Sequence, residues 1–175
     1  MNVWRLAVHP SESPELGASV GLSPPLAALL WRRGVRTEAE ARRFLLPSAE
    51  DLHDPLEMKG MEEAAAILGA AAAARRRIVV FGDYDVDGIT AVAQLRAALS
   101  RAGADAVAFI PHRLRDGYGL KPETVRRVVS EQRPAVIVTV DCGISAVEGV
   151  ACARAAGVEV IVTCLLYTSP SPRDS

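Results

Sequence analysis

Three aspartates occupy alternate positions directly after a short apolar run. The run IVVF at 78–81 leads into GDYDVDG at 82–88, and a helical pattern of apolar residues follows. Carboxylates this close raise one another's pKa and oppose ionisation unless a cation lies between them. Oxygen ligands of this kind suit Mg²⁺ or Mn²⁺. Asp83, Asp85 and Asp87 are therefore candidates for a metal-binding catalytic cluster.

A fourth aspartate, Asp141, has a similar setting, after the apolar run AVIVTV at 135–140 and before Gly143. Open parallel sheets bind their ligands at the carboxyl ends of the strands. If the strands that precede Asp85 and Asp141 are close in the sheet, both carboxylates face one crevice and can share a metal. A helix N-cap is the other interpretation of Asp141, but Ser145 could serve as the cap instead. We favour the ligand role.

Between these acidic segments lies PHRLRDGYGL at 111–120, which contains residue types suited to phosphate recognition. Arg113 and Arg115 offer forked sets of donors, and the glycines allow close approach of the backbone. The tyrosine could stack on a base or sugar. An exposed loop is the default interpretation of such a stretch, so no residue is strong evidence alone. The candidates for phosphate binding are Arg113, Gly117, Tyr118 and Gly119.

Two other kinds of site begin with the same acidic pattern. An EF-hand calcium loop needs Glu at its twelfth position, where this chain has Gln94, and a preceding helix rather than a strand. Phosphoaspartyl transferases of the haloacid dehalogenase type would use Asp85 as nucleophile and Asp87 as acid/base. Their pattern has Thr where this chain has Ile89, and Lys121 matches their later lysine only loosely. The calcium interpretation is weak, and the transferase is the best enzymatic alternative.

Composition limits the class of protein. Of 175 residues, 50% are apolar and 23% charged, which excludes a disordered chain and indicates a core that can be buried. The formal net charge of −1 excludes a global basic field, so any polyanion would be bound locally. Three cysteines without a CxxC pair argue against a structural zinc or a disulfide framework. Without a signal-peptide pattern or an apolar run of about 18 residues, we expect a cytoplasmic protein with no membrane association.

The elements around these motifs fall into two parts. Residues 1–60 predict a helical preface, whose second helix has Thr37 as N-cap and Glu40 in a capping box, followed by a connecting loop. Residues 61–163 predict an α/β domain with a doubly wound parallel sheet, because short β-branched runs alternate with helical segments. The predicted helices are 25–31, 38–45, 62–76, 89–103, 121–132 and 145–157, and the predicted strands are 78–81, 106–110, 135–140 and 158–162.

The final segment, 164–175, has no periodicity and is rich in serine and proline. It is similar to the translated read-through of a sequencing adaptor. We therefore treat it as a non-native tail and exclude it from the fold assignment, as one excludes tags and linkers.

Taken in order, GDYDVDGITA at 82–91, PHRLRDGYGL at 111–120 and VTVDCGISA at 138–146 resemble the motifs of the DHH phosphoesterases. The preface features LLWRRGV, EARRFLLP and LHDP extend the resemblance over about residues 22–163 and favour the exonucleases of that family. The resemblance implies a Rossmann-like domain of a two-metal phosphodiesterase, usually supported by Mn²⁺. Its substrate would be single-stranded DNA, shortened from the 5′ end during repair and recombination.

The resemblance also implies roles for individual residues. Asp85 and Asp87 would be metal ligands, Asp83 a ligand neighbour, and Asp141 the bridging carboxylate. Arg113 and the Gly117-Tyr118-Gly119 turn would face the substrate phosphate.

The chain departs from this family at the signature itself. After a strand such as VEVIVT the family has Asp-His-His, whereas Cys164, Leu165 and Leu166 stand here. We therefore expect the natural protein to continue past Thr163, and this chain to be a fragment that binds metal weakly and shows little or no turnover.

Two further functions stay open at the level of sequence. The same motifs read phosphates rather than bases, so the substrate could be an oligoribonucleotide or a cyclic dinucleotide. In a third interpretation the chain is a non-catalytic nucleic-acid-binding module, in which Arg113, Arg115 and Tyr118 hold a strand while the acidic cluster is inert. Nothing in the sequence identifies a protein partner.

Overall fold

The computed structural model describes residues 11–164, and the chain divides into two compact units, Met1–Glu57 and Met58–Ser175. Our domain boundaries at 60/61 and 163/164 stay predictions. Apart from Cys164, the tail that we treat as non-native lies outside the described residues. Within residues 11–164, no helix is long and apolar enough to cross a membrane.

The first unit is helical, as its sequence predicts. Its elements are α1 (Ser13–Val20), α2 (Pro24–Arg32), α3 (Glu38–Leu45) and two short 3₁₀ helices, Ala49–Asp51 and Pro55–Glu57. The predicted capping box of α3 is confirmed, since Glu40 N donates to Thr37 Oγ1 at 3.2 Å and Thr37 N donates to Glu40 Oε2 at 3.0 Å. Sequence analysis missed α1, which carries its proline in the first turn, where the missing N–H breaks no helical hydrogen bond.

The second unit alternates helices and strands. Its elements are α4 (Met61–Ala73), β1 (Ile78–Phe81), α5 (Val86–Arg101), β2 (Ala106–Phe109), α6 (Pro122–Gln132), β3 (Val136–Thr139), α7 (Val147–Ala155) and β4 (Glu159–Val162). The four strands form one parallel sheet in the order β2-β1-β3-β4. The predicted doubly wound α/β fold is confirmed.

Two apolar clusters cover the two faces of this sheet. Successive residues of β1 enter different clusters, because successive side chains of a strand point to opposite faces. Helices α4 and α5 pack on the face of Ile78 and Val80, whereas α6 and α7 pack on the face of Val79 and Phe81. Every residue of β1 and β3 is buried, which explains why both strands are continuous apolar runs.

The strand order reverses at β1. The chain leaves β1 through α5 to reach β2 on one side, then returns through α6 to β3 on the other side. Loops that follow β1 and β3 therefore diverge from a crevice at the carboxyl edge, which is where doubly wound sheets bind ligands. Both predicted acidic segments begin at this edge.

Candidate functional site

The loop between β1 and α5 holds its first two aspartates through the backbone. Asp83 is 6% exposed, and its carboxylate accepts a hydrogen bond from Tyr84 N at 2.7 Å. Asp85 is the N-cap of α5 and accepts from Gly88 N at 2.9 Å. Asp87 follows in the first turn of α5 and is exposed. Helix capping thus explains Asp85 alone and leaves Asp83 and Asp87 for another purpose.

A glycine at position 88 is required by close packing of this loop. A Cβ at Gly88 would lie 2.6 Å from the backbone N and from the backbone O of Asp83. The first turn of α5 therefore rests directly on the peptide of Asp83. This contact accounts for the glycine that follows the three aspartates in the sequence.

Asp141 follows β3 in a turn of left-handed backbone. Its φ is +58°, a conformation that aspartate tolerates better than most residues. Inside the turn, Thr139 Oγ1 donates to Cys142 O at 2.8 Å, and Gly143 has φ +103°. Helix α7 begins at Val147 with Ala146 as its N-cap residue, so the N-cap interpretation of Asp141 is wrong. Ser145, which we considered as the cap, does not cap the helix either.

The aspartates after β1 and β3 act on one another electrostatically. The pKa of Asp141 is raised, first by burial and then by the negative charges of Asp85, Asp87 and Asp83. This repulsion arises because β1 and β3 are neighbours, with Phe81 opposite Thr139 in the register. The strands that precede Asp85 and Asp141 are therefore adjacent, which was the condition for both carboxylates to face one crevice.

The loop between β2 and α6 starts at the same edge, because β2 pairs with the other side of β1. The Arg113 guanidinium lies over the Tyr84 ring at 5.1 Å, and the Tyr84 and Tyr118 rings meet edge to face at 6.4 Å. Tyr84, in the acidic loop between β1 and α5, thus contacts both Arg113 and Tyr118, two of the residues predicted to bind substrate. Sequence analysis did not single it out, although an aromatic residue between Asp83 and Asp85 was a usable signal.

The two glycines of this loop have left-handed backbones, with φ +71° at Gly117 and +79° at Gly119. Between them, Tyr118 is 44% exposed. The Lys121 Nζ lies 2.6 Å from where a Cβ of Gly117 would be, so the glycine leaves room for this cation. Lys121 borders two grooves of about 350 and 430 Å³ on either side of the loop, and sequence analysis gave it no role in phosphate binding.

Arg115 does not have the position that its residue type suggested. Its guanidinium donates to Asp116 at 3.1 Å, and Asp116 also receives two hydrogen bonds from Arg127. The sequence offered Arg115 beside Arg113 as a forked donor and, in the binding-module interpretation, as a residue that holds the strand. Arg115 instead shares the single negative charge of Asp116 with Arg127, and this internal ion pair competes with an external anion for its guanidinium.

Comparison with known proteins places this geometry in a family. The model described as the DHH family, N-terminal domain, matches residues 77–163, which span β1 to β4 and all the acidic residues above. The chain belongs to the DHH family.

Similar proteins and structures are exonucleases named RecJ. Over 142 residues the chain is 38% identical to the single-stranded-DNA-specific exonuclease RecJ of Bacillus subtilis, covering 81% of this chain and 18% of that protein. It is 39% identical over 165 residues to the protein of the same name from Thermus thermophilus, covering 91% and 23%. The chain thus spans about a fifth of the length of these relatives.

Two solved structures agree with the fold of this DHH chain. The crystal structure of exonuclease RecJ bound to manganese superposes with a TM-score of 0.59 at 43% identity, covering 65% of this chain and 29% of that one. That of RecJ in complex with Mn²⁺ from Thermus thermophilus gives 0.66 at 33% identity, covering 95% and 23%.

The DHH site fits a divalent metal in donor type and in charge. Asp83, Asp85, Asp87 and Asp141 offer carboxylate oxygens, and their mutual repulsion is what a hard cation relieves. Among residues 11–164, however, no three His, Cys, Asp or Glu side chains are grouped so that they could hold a metal ion. The ligand set Asp85, Asp87 and Asp141 therefore stays a prediction, as do the phosphate-binding roles of Arg113 and the 117–119 turn.

Cys142, next to Asp141 in this DHH domain, is not a nucleophile. It is 1% exposed, and burial, with smaller contributions from nearby negative charges, raises the pKa of its thiol to about 12. A thiol of this kind stays protonated and inaccessible at neutral pH. Cys142 is therefore a buried structural residue of this domain.

Proposed function

We propose that this DHH chain is part of a metal-dependent exonuclease that hydrolyses phosphodiester bonds of single-stranded DNA from the 5′ end. The observation that carries the proposal is the placement of four aspartates at the carboxyl ends of the adjacent strands β1 and β3. The similarity to single-stranded-DNA-specific exonucleases supports the substrate, and RecJ structures in complex with Mn²⁺ and with Mg²⁺ support either metal. A role in DNA repair and recombination inside the cytoplasm belongs to the same proposal.

In this proposal Asp85, Asp87 and Asp141 hold the metal. A divalent ion bound there supplies Lewis acidity and an activated water. Asp83, buried beside them, keeps the loop in shape through its hydrogen bond to Tyr84 N and adds negative charge that favours the cation.

The single-stranded DNA would bind to the loop after β2. Arg113 offers a forked donor to phosphate, and the left-handed turn around Tyr118 lets the backbone approach closely. Tyr84 and Tyr118 provide rings on which a base can stack. Because the net charge is −1, this local cluster rather than a general positive field would attract the DNA.

Metal binding is the first test, and Mn²⁺ titrated into the metal-free chain is the probe. Asp87→Asn should weaken Mn²⁺ binding by about tenfold or more, since it removes a charged ligand. Glu131→Gln is the matched control, because Glu131 is exposed at the far end of α6. Equal Mn²⁺ affinity in all three proteins would contradict the metal site.

Activity is tested in a chimera, because the chain matches only part of its relatives. Residues 77–163 would replace the corresponding segment of Thermus thermophilus RecJ, and loss of nucleotides would be followed on 5′-labelled and 3′-labelled single strands. We expect Mn²⁺-dependent shortening from the 5′ end, abolished by Asp85→Ala with strand binding nearly intact. A folded chimera that binds Mn²⁺ but leaves the strand uncut would overturn the exonuclease function.

A non-catalytic nucleic-acid-binding module is the second candidate. It is favoured by the cluster of Arg113, Tyr84 and Tyr118, which needs no metal to form, and by the lack of a complete ligand group among residues 11–164. In that case single strands would bind the chain equally well with Mn²⁺ and with a chelator, and the chimera would be inactive.

A further inference from the structure

Asp116 lies at the centre of a hydrogen-bonded cluster in the loop between β2 and α6. Only 6% of its side chain is exposed. Its two oxygens accept hydrogen bonds from His112 N at 2.7 Å, from Arg115 Nε at 3.1 Å, and from Arg127 Nη1 and Nη2 at 2.8 and 2.9 Å. Both carboxylate oxygens are therefore occupied by the protein.

The pair with Arg127 has the fork-to-carboxylate geometry of a strong ion pair. Two parallel N–H···O hydrogen bonds fix the direction as well as the distance of the two groups. The Arg127 guanidinium also lies over the Phe109 ring at 5.2 Å, and the Phe109 ring stacks on Phe81 at 5.3 Å. Arg127 therefore joins helix α6 to Asp116 on one side and, through the Phe109 ring, to the ends of β2 and β1 on the other.

Asp116 closes the turn that contains the residue proposed to meet phosphate. Asp116 accepts from the backbone N of His112, immediately before Arg113, and its own backbone N donates to His112 O at 2.8 Å. Arg113 therefore sits inside a closed turn. On the other side of Asp116 the chain enters the left-handed turn at Gly117.

We propose that Asp116 and Arg127 are positioning residues that hold Arg113 and the 117–119 turn in place for the substrate phosphate. The inference rests on the proposed function, because it concerns the same loop between β2 and α6, residues 110–121, which we call the substrate loop. Asp116 contacts no substrate in this scheme, and Arg127 is committed to Asp116. Asp116 is negatively charged, but it favours a negatively charged ligand because it holds the loop that binds that ligand.

The direction in which one substitution changes DNA affinity distinguishes a positioning role from that of a surface charge. Removing a negative charge near a phosphate-binding loop strengthens binding of a polyanion when electrostatics alone acts. Loss of a positioning residue weakens it. Asp116→Asn should therefore reduce affinity for a 5′-phosphorylated single-stranded oligothymidylate about fivefold, measured by fluorescence anisotropy with a chelator present.

Arg127 and its neighbour provide a charge-matched pair of variants. Arg127→Gln and Arg126→Gln remove the same charge from adjacent positions of α6, but Arg126 is exposed. We expect Arg127→Gln to weaken binding several times more than Arg126→Gln. Arg127→Lys, which keeps the charge and loses the fork, should lie between them.

Loop order is measured without DNA by tryptic cleavage after Arg113 and Arg115. Asp116→Asn and Arg127→Gln should be cut there several times faster than the wild-type chain, while their circular dichroism and thermal unfolding show a folded protein. Unchanged cleavage would overturn the positioning role whatever the DNA result. Faster cleavage with unchanged or stronger DNA binding would equally overturn it. Failure of the wild-type chain to bind the oligonucleotide would instead contradict the proposed function, and with it the phosphate role of the loop.

Discussion

The four aspartates at the carboxyl edge differ in how far the protein itself engages each carboxylate. Asp83 and Asp85 each accept a hydrogen bond from a backbone N–H, Asp87 is exposed, and Asp141 is partly buried with a raised pKa. Hydrogen bonds from the protein thus stabilise only part of the negative charge of these four carboxylates. The remainder is what favours a cation at this edge.

The raised pKa of Asp141 makes a prediction about stability and pH. The charged form is disfavoured in the folded state, so the folded protein holds this proton more tightly than the unfolded chain. Stability contributed by the protonated form is therefore lost as pH rises from the usual aspartate range through the folded pKa. Asp141→Asn should raise the free energy of unfolding of the metal-free chain near neutral pH, measured by urea denaturation with a chelator.

Two comparisons check this assignment. The advantage of Asp141→Asn should disappear below the usual aspartate range, where both states of the wild-type protein are protonated. Added Mn²⁺ should stabilise the wild-type chain more than the variant. A variant that is less stable than the wild type near neutral pH would contradict the repulsion.

Gly88 yields a second prediction at this scale. Gly88→Ala would place a methyl group against the peptide of Asp83, so we expect a loss of about 1–3 kcal/mol in unfolding free energy. It should also weaken Mn²⁺ binding, because the displaced loop carries Asp83, Asp85 and Asp87.

The control is Gly69→Ala in helix α4. Beyond its chain neighbours and the adjacent backbone of α4, nothing lies within 4 Å of the added Cβ, so the substitution should stabilise the chain by roughly 0.5–1 kcal/mol through helix propensity. Equal effects of the two substitutions in urea denaturation would contradict the close contact at Gly88.

At the level of elements, helix α7 packs directly on the substrate loop. A Cβ at Gly149 would collide with the backbone carbonyl of Leu120, and Leu120 belongs to the same apolar cluster as Ala153. The contact joins the element that follows Asp141 to the loop that follows β2. Helix α7 and the loop after β2 are thus in direct contact at Gly149.

Gly149→Ala should therefore destabilise the chain by about 1–3 kcal/mol and accelerate tryptic cleavage in the substrate loop. The matched control is Ala151→Ser, on an exposed position of the same helix, which should change the unfolding free energy by about 0.5 kcal/mol or less. Thermal unfolding and timed proteolysis measure both effects. If the two variants behave alike, α7 does not support the loop.

For the molecule as a whole, a net charge of −1 means that DNA binding depends on a few local cations. Each phosphate neutralised on a single strand contributes a slope of roughly −0.7 to the logarithm of affinity against the logarithm of salt concentration. With two or three contacts we expect a slope between about −1.4 and −2.1 for this chain.

Arg113→Gln should make that slope shallower by about 0.7, since one phosphate contact is lost. Arg154→Gln, in the last turn of α7, removes the same charge away from the loop and should leave the slope unchanged. Anisotropy titrations at several salt concentrations give both slopes. A steep slope that neither substitution alters would place the DNA elsewhere on the molecule.

Local sequence patterns predicted most of the elements and the residue types of the site. Short apolar runs, helical periodicity and the Thr37 capping box depend on neighbours within a few residues, and each appeared close to its predicted place. The spacing of the aspartates likewise indicated a cation before any contact was known. Helix α1 was missed because its short segment lacks a strong apolar period.

Which residues lie together depends on long-range packing. The adjacency of β1 and β3 brings Asp141 to Asp85, and this depends on strand order, which local patterns do not encode. Arg113 and Arg115 look equivalent in the sequence. They differ because Arg115 donates to Asp116, which also forms a partly buried ion pair with Arg127 of the following helix, whereas Arg113 lies over the Tyr84 ring. Long-range packing, rather than residue type, therefore gives Arg113 and Arg115 different partners.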